Sequence, residues 1–233
     1  MNKQQEYENT QFFVQQLQAN QDEAVIKIAV KKLGEMSCDN LEAIEALINL
    51  IQTTQDEPTR WIGIESLSKI GAKNNDVIHV LIGQICNGRI PTRRIASQNL
   101  AKIIIDNLEA RKFLVAKVKI AEDRFTCQYL AYTLARVEEV NEDVVNALIE
   151  LIYKSSDNYT LKNCVDGLIK SKYYYQDKIL NAIIKVVMVA QDYNTYYYTR
   201  CSLRQYLEKI GISVAVNFSS VRICELMLQN KSF

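Results

Sequence analysis

Hydrophobic positions in this 233-residue chain recur on two scales. Within short segments they follow one another three or four residues apart, the spacing that lines one face of an α-helix. Over the whole chain the segments themselves return. Leu33, Leu67, Leu100, Leu134, Leu168 and Leu207 are separated by 34, 33, 34, 34 and 39 residues. Four residues before them stand Ala29, Gly63, Ala96, Leu130, Cys164 and Leu203, and three after them Met36, Ile70, Ile103, Val137, Ser171 and Ile210. One helix per repeat is predicted, and its often small residue lets a neighbouring helix approach closely. Fourteen residues beyond the first four leucines come Leu47, Leu81, Leu114 and Leu148, and fifteen beyond the fifth comes Ile183. Each lies in a second apolar-periodic segment, so every repeat is predicted to be a helical hairpin of about 34 residues.

Polar positions mark the ends. Eleven residues before a leucine stand Asp22, Asp56, Asp123 and Asp157, placed to cap the first helix by accepting its first-turn N–H groups. Eight before it stand Val25, Thr59, Thr92, Thr126, Thr160 and Thr199, and Pro58 falls just inside a helix, where its missing N–H costs little. The stretch QFFVQQLQANQDE aligns with EALINLIQTTQDE at an offset of 34, so the chain opens on an unpaired second helix. The expected fold is all-α, a right-handed α-α superhelix forming a single solenoid over residues 1–233. Its capping helix covers 5–19, and six hairpins cover about 21–52, 55–87, 89–120, 122–153, 156–190 and 195–229. A lone hairpin cannot bury its apolar face, whereas stacked hairpins share one core.

The wording DEPTRWIGIESLSKIG followed by DVIHVLIGQI resembles short HEAT repeats of the kind found in phycobilisome lyases. Their common form is acidic, Thr, Arg, two variable positions, Ala, two variable, Leu, Gly, variable, Ile, Gly. The tetratricopeptide repeat has the same period, but its Trp-Leu-Gly-Tyr and Ala-Phe-Pro pattern is absent. The resemblance spans roughly residues 11–228 and implies an armadillo-like helical scaffold that binds another protein. The chain is also similar to HEAT arrays attached to NACHT-type signalling ATPases of cyanobacteria, although it contains no Walker motif. The same resemblance implies an alternative: a bilin lyase or bilin-detaching factor with a phycobiliprotein as partner.

Composition narrows the classes. Apolar residues make up 48% of the chain, enough for a sizeable core, and two prolines with seven glycines are too few for a turn-rich all-β protein. No apolar run approaches the roughly 20 residues of a membrane span. The opening MNKQQEYENTQ lacks the pattern of a signal peptide, so a cytoplasmic protein is expected. Cys38, Cys86, Cys127, Cys164, Cys201 and Cys224 show no metal-binding spacing and are expected to be reduced, mostly buried groups. Formal charge is +1, which argues against nucleic acid as a partner, the case for HEAT-like DNA glycosylases included. The sum hides an asymmetry: residues 1–60 hold five basic and ten acidic side chains, residues 89–124 nine and four.

No GxSxG, HExxH, P-loop or dinucleotide fingerprint occurs, so neither catalysis nor a cofactor or metal is expected. His79 shares a solvent-facing slot with Glu45, Lys112 and Asn146 of other repeats, and Glu138 and Glu139 read as loop charges. Recognition is therefore sought on the surface. The polar slots of the second helices form a ridge that runs from acidic to basic: Glu42, Glu45 and Asn49; His79; Lys112 and Lys119; Asn146 and Glu150; Asn181 and Lys185. Such a gradient suits a protein partner of graded charge better than a polyanion. Trp61 stands six before Leu67, where Lys27, Arg94, Gln128 and Lys162 mark an outward slot, and has two readings. It is either an exposed binding anchor or a ring lying across the next first helix. Arg89, Arg93, Arg94, Arg111, Lys112, Lys117 and Lys119 make a basic strip suited to phosphate or an acidic protein, so nucleic-acid binding stands as a third reading. Arg60, Arg93 and Arg200 recur seven before the leucine and are expected to pair with the aspartate of the preceding turn. Tyrosine crowds the last third. Tyr173, Tyr174 and Tyr175 are expected in the turn of the fifth hairpin, and Tyr196, Tyr197 and Tyr198, with Tyr193 close by, in the connection to the sixth. Packing around an irregular last repeat is their preferred reading, Tyr206 included.

Overall fold

The computed structural model describes residues 3–19, 22–36, 40–104, 107–138, 140–171 and 176–211. Within these residues the chain forms twelve helices and no strand. They are α1 (Lys3–Ala19), α2 (Glu23–Leu33), α3 (Leu41–Thr53), α4 (Glu57–Ile70), α5 (Asn75–Asn87) and α6 (Ile90–Ile103), followed by α7 (Leu108–Ile120), α8 (Arg124–Leu134), α9 (Glu142–Lys154), α10 (Asn158–Leu168), α11 (Gln176–Val189) and α12 (Tyr193–Lys209). The second helix of the sixth hairpin, Cys38, Cys224, Glu139 and the triplet Tyr173, Tyr174 and Tyr175 lie outside the described residues.

Two compact units divide the chain, Met1–Leu114 and Val115–Phe233, with the division falling inside α7. In the first, α2, α4 and α6 pack side by side in one layer and α1, α3 and α5 in the other. The layers meet most closely where a second helix adjoins the first helix that follows it, α3 with α4 and α5 with α6. In the second unit, α8, α10 and α12 form one layer, and α9 and α11 the other. This pairwise two-layer stacking is the architecture of an all-α helical repeat. The leucine register forms its core: Leu33, Leu67, Leu100, Leu134 and Leu168 are wholly buried, as are Leu47, Leu81, Leu114, Leu148 and Ile183.

Two kinds of cap start the helices. Asp22, Asp56, Asp123 and Asp157 cap first helices, and the last three also hold the amide and hydroxyl of the threonine three residues on. Second helices use asparagine: Asn40, Asn74, Asn107 and Asn141 each accept from first-turn amides. In the sixth repeat the cap has moved. Asp192 accepts from the Thr195 amide, and α12 begins at Tyr193. Tyr196, Tyr197 and Tyr198 therefore lie in the first two turns of a helix, not in the expected connection, because four of the five extra residues extend α12 by one turn. The displaced Thr199 is buried with no partner for its hydroxyl among the described residues, since the acid that would bind it now stands a turn earlier.

Cations tie successive repeats together. Arg60 does not make the pair with Asp56 that its slot predicts; Asp56 takes Lys27 at 3.1 Å. Arg60 instead donates from Nε to the Ile51 carbonyl at 3.1 Å and from Nη2 to that of Thr54, while binding Glu57. Arg93 Nε reaches the Gly88 carbonyl at 2.7 Å. These carbonyls end the preceding second helix, where the negative pole of the helix dipole favours a cation. Lysines act on first helices in the same way, Lys170 on the Ala135 carbonyl at 2.7 Å and Lys209 on those of Ile169 and Ser171, both at 2.9 Å. Arg200, at the same slot of α12, is half-buried.

Candidate interaction surface

The second-helix layer of the first unit presents Glu45 and Asn49 on α3 and His79 on α5, all three exposed. Helical periodicity puts Leu47, Ile51, Leu81 and Ile85 against the core and leaves these polar slots outward. An open groove of about 440 Å³ lies between the two helices. It gathers all three residues with Gln52, Asp76 and the half-buried Ile48 and Val80. His79 rests edge-on against Phe113, ring centroids 4.0 Å apart. Lys112 is exposed and pairs loosely with Glu109 at 3.5 Å.

The remaining ridge residues belong to the second unit. Lys119, Asn146 and Asn181 are exposed. Glu150 pairs with Lys154 at 2.8 Å, and Lys154 also donates to the Val118 and Lys119 carbonyls, so that pair helps to close α7. Lys185 sits 4.1 Å above the ring of Tyr153. Tyr153 and Met188 are prominently exposed, at 59% and 73%, and the ridge as read from sequence omitted both. They occupy one slot in successive second helices, five residues beyond Leu148 and Ile183.

Trp61 departs from an exposed anchor. Its side chain is half-buried, and Nε1 donates to Thr92 Oγ1 at 2.9 Å, so the indole spans from α4 to the next first helix, α6. Local sequence explains this. Arg89 stands where other repeats carry the capping aspartate and makes no side-chain cap, leaving the Thr92 hydroxyl to accept from Trp61 and donate to Glu57. The basic strip is divided between units, Arg89, Arg93, Arg94, Arg111 and Lys112 in the first, Lys117 and Lys119 in the second.

Other candidate groups are absorbed by packing. Burial pushes the thiols of Cys127 and Cys164 up, which disfavours the reactive thiolate. Cys201 is exposed, against the expectation of burial, because it occupies the outward slot six before Leu207. Tyr198 donates to Asp166, and burial together with that carboxylate pushes its phenol up to about 12. A second cavity of about 330 Å³ in the second unit is lined by Arg124, Lys154 and Asp157. Arg124 and Asp157 bind each other at 2.6 Å there, a link from one first helix to the next. Among the described residues no cluster of three metal-ligating side chains occurs, and no helix is long and apolar enough to cross a membrane.

The family model for HEAT repeats matches residues 10–102, from the middle of α1 to the end of α6. Those residues are HEAT repeats. The α3–α5 groove lies within the matched HEAT segment, and the hairpins that follow continue its leucine register. No curated protein matches the chain. HEAT repeats serve generally as protein-interaction scaffolds, whose stacked hairpins present extended binding surfaces.

Proposed function

We propose that this chain is a non-enzymatic protein-interaction scaffold or sensor module whose second helices, taken as the concave side of the HEAT stack, receive a partner protein. One observation carries the reading: the open groove between α3 and α5, inside the HEAT segment, collects Glu45, Asn49 and His79 around an apolar floor. Polar groups around a small apolar centre are the usual anatomy of a protein interface. Lys112 continues the surface in the first unit; Lys119, Asn146, Glu150, Asn181 and Lys185 lie on second helices of the second unit and make a surface of that unit's own. Trp61 acts behind this surface, joining two first helices.

The test fills the groove. Asn49→Trp places a bulky ring at an exposed position and leaves the core untouched. Proteins captured from native extract on the parent chain should be lost on this variant, with the helical circular dichroism signal unchanged. Retention of every partner by a folded Asn49→Trp chain overturns the assignment of the surface. A coloured eluate carrying a tetrapyrrole would replace the scaffold with bilin handling.

A further inference from the structure

Resting on the scaffold reading, we infer that the α3–α5 groove takes a basic polypeptide segment. Its apolar side chain would seat on Ile48 and Val80, and its flanking Lys or Arg residues would meet Glu45 and Asp76. The inference begins with an imbalance of charge. The segments LEAIEALINLIQT and NDVIHVLIGQICN, which are α3 and α5, contain neither lysine nor arginine but carry Glu42, Glu45 and Asp76. Several other carboxylates of this unit find internal partners: Asp56 takes Lys27, Glu57 takes Arg60, Glu35 takes Lys32, and Glu42 accepts from Gln11. The side chains of Glu45 and Asp76 have no hydrogen bond or ion pair among the described residues, and both line the groove. A carboxylate beside low-dielectric walls attracts a cation more strongly than one in open water.

The floor adds what charge alone lacks. Ile48 and Val80 are half-buried side chains that lie between the polar rims. Covering them removes apolar surface from water, so the best occupant has an apolar side between its cations. Gly83 is the third feature. It sits mid-helix in α5, three residues beyond Val80 and four beyond His79, where helix propensity favours almost any other residue. A Cβ there would meet nothing within 4 Å, so internal packing does not require the glycine. Gly83 stands one turn beyond the groove-lining His79 and Val80 rather than in the lining itself, and its bare position lets a segment that leaves the groove along α5 come close, while Asn49 and Gln52 in the lining offer amides to the bound backbone. An acidic segment or a nucleic acid would meet the unpaired carboxylates of Glu45 and Asp76 in this groove.

Three labelled peptides test the inference by fluorescence anisotropy on the full chain. The first has lysines and leucines arranged to give one apolar face, the second has glutamate for lysine, and the third has the first's composition with leucines and lysines in separate blocks. The first should bind, the second should not, and the third should bind distinctly more weakly. Glu45→Lys or Asp76→Lys should weaken the first peptide about fivefold and the pair about thirtyfold. Glu65→Lys, an equal charge change on α4, should leave binding unaltered. A photoreactive leucine in the first peptide should crosslink to α3 or α5. Crosslinks elsewhere, equal weakening by Glu65→Lys, or equal binding of the glutamate peptide would overturn the inference. So would sedimentation showing dimers of the chain that the double variant dissolves, since the groove would then hold a second copy. The two readings fail separately. Loss of a captured partner on Asn49→Trp with retention on Glu45→Lys/Asp76→Lys leaves the scaffold standing and removes the basic ligand.

Discussion

At the scale of single residues, the substitution of Arg89 for a capping aspartate reshapes its neighbourhood. Where the acid is present, its carboxylate occupies the threonine hydroxyl. Without it, Thr92 serves Trp61 and Glu57, and an indole becomes a link between repeats. Trp61→Phe keeps most of the ring but removes the N–H, so it should cost about 0.5–1.5 kcal/mol in urea unfolding. An unchanged midpoint would show that this hydrogen bond contributes nothing. Gly167 presents a steric limit. A Cβ there would stand 2.6 Å from Leu148 Cδ1 and 3.1 Å from the Ala135 backbone, a contact from one first helix to the one before it. Gly167→Ala should therefore destabilise by about 1–3 kcal/mol through overpacking, although alanine is the better helix former. Stabilisation in the same assay would mean that the helices separate freely there.

At the scale of helices, caps explain both what the sequence disclosed and what it withheld. First helices were legible because aspartate, threonine and leucine recur at fixed offsets and each reports one helix end. The asparagine caps were equally periodic, seven residues before Leu47, Leu81, Leu114 and Leu148, and could have been found by the same alignment. The start of α12 was hidden by a rival cap, since Asp192 and Thr195 repeat the motif one turn upstream of the register. Surface slots on α3 and α5 followed from periodicity. Their convergence with Asp76, Ile48 and Val80 did not, because it depends on the stagger between helices, which a repeat length does not encode. The acid caps also predict a pH dependence. Thr59 and Lys27 hold Asp56 below the usual carboxylate range, and Thr195 does the same for Asp192. A group whose folded pKa is depressed contributes fully above its unfolded value and loses that contribution as pH falls. Stability should thus decline from about pH 4 downward, and Asp56→Asn with Asp192→Asn should flatten that decline while retaining cap acceptors. Parallel acid limbs for parent and variant in urea titrations would contradict this.

At the scale of the whole molecule, stability is distributed over neighbouring hairpins, so damage should be read by region. Leu100 is wholly buried in α6, inside the unit Met1–Leu114. Leu100→Ala should cost about 2–5 kcal/mol, and hydrogen exchange should rise chiefly within that unit. Equal loss of protection throughout Val115–Phe233 would show that the two units unfold as one. The elongated α12 bears on how such a chain can change length. Its added turn, with a fresh Asp-x-x-Thr cap ahead of it, leaves Leu203 and Leu207 seated in the core while the start of the helix moves away. Inserted residues are thus accommodated in whole helical turns at the beginning of a first helix. A two-residue insertion would rotate every following side chain by more than half a circle, so lineages of such arrays should lengthen there in steps of about four.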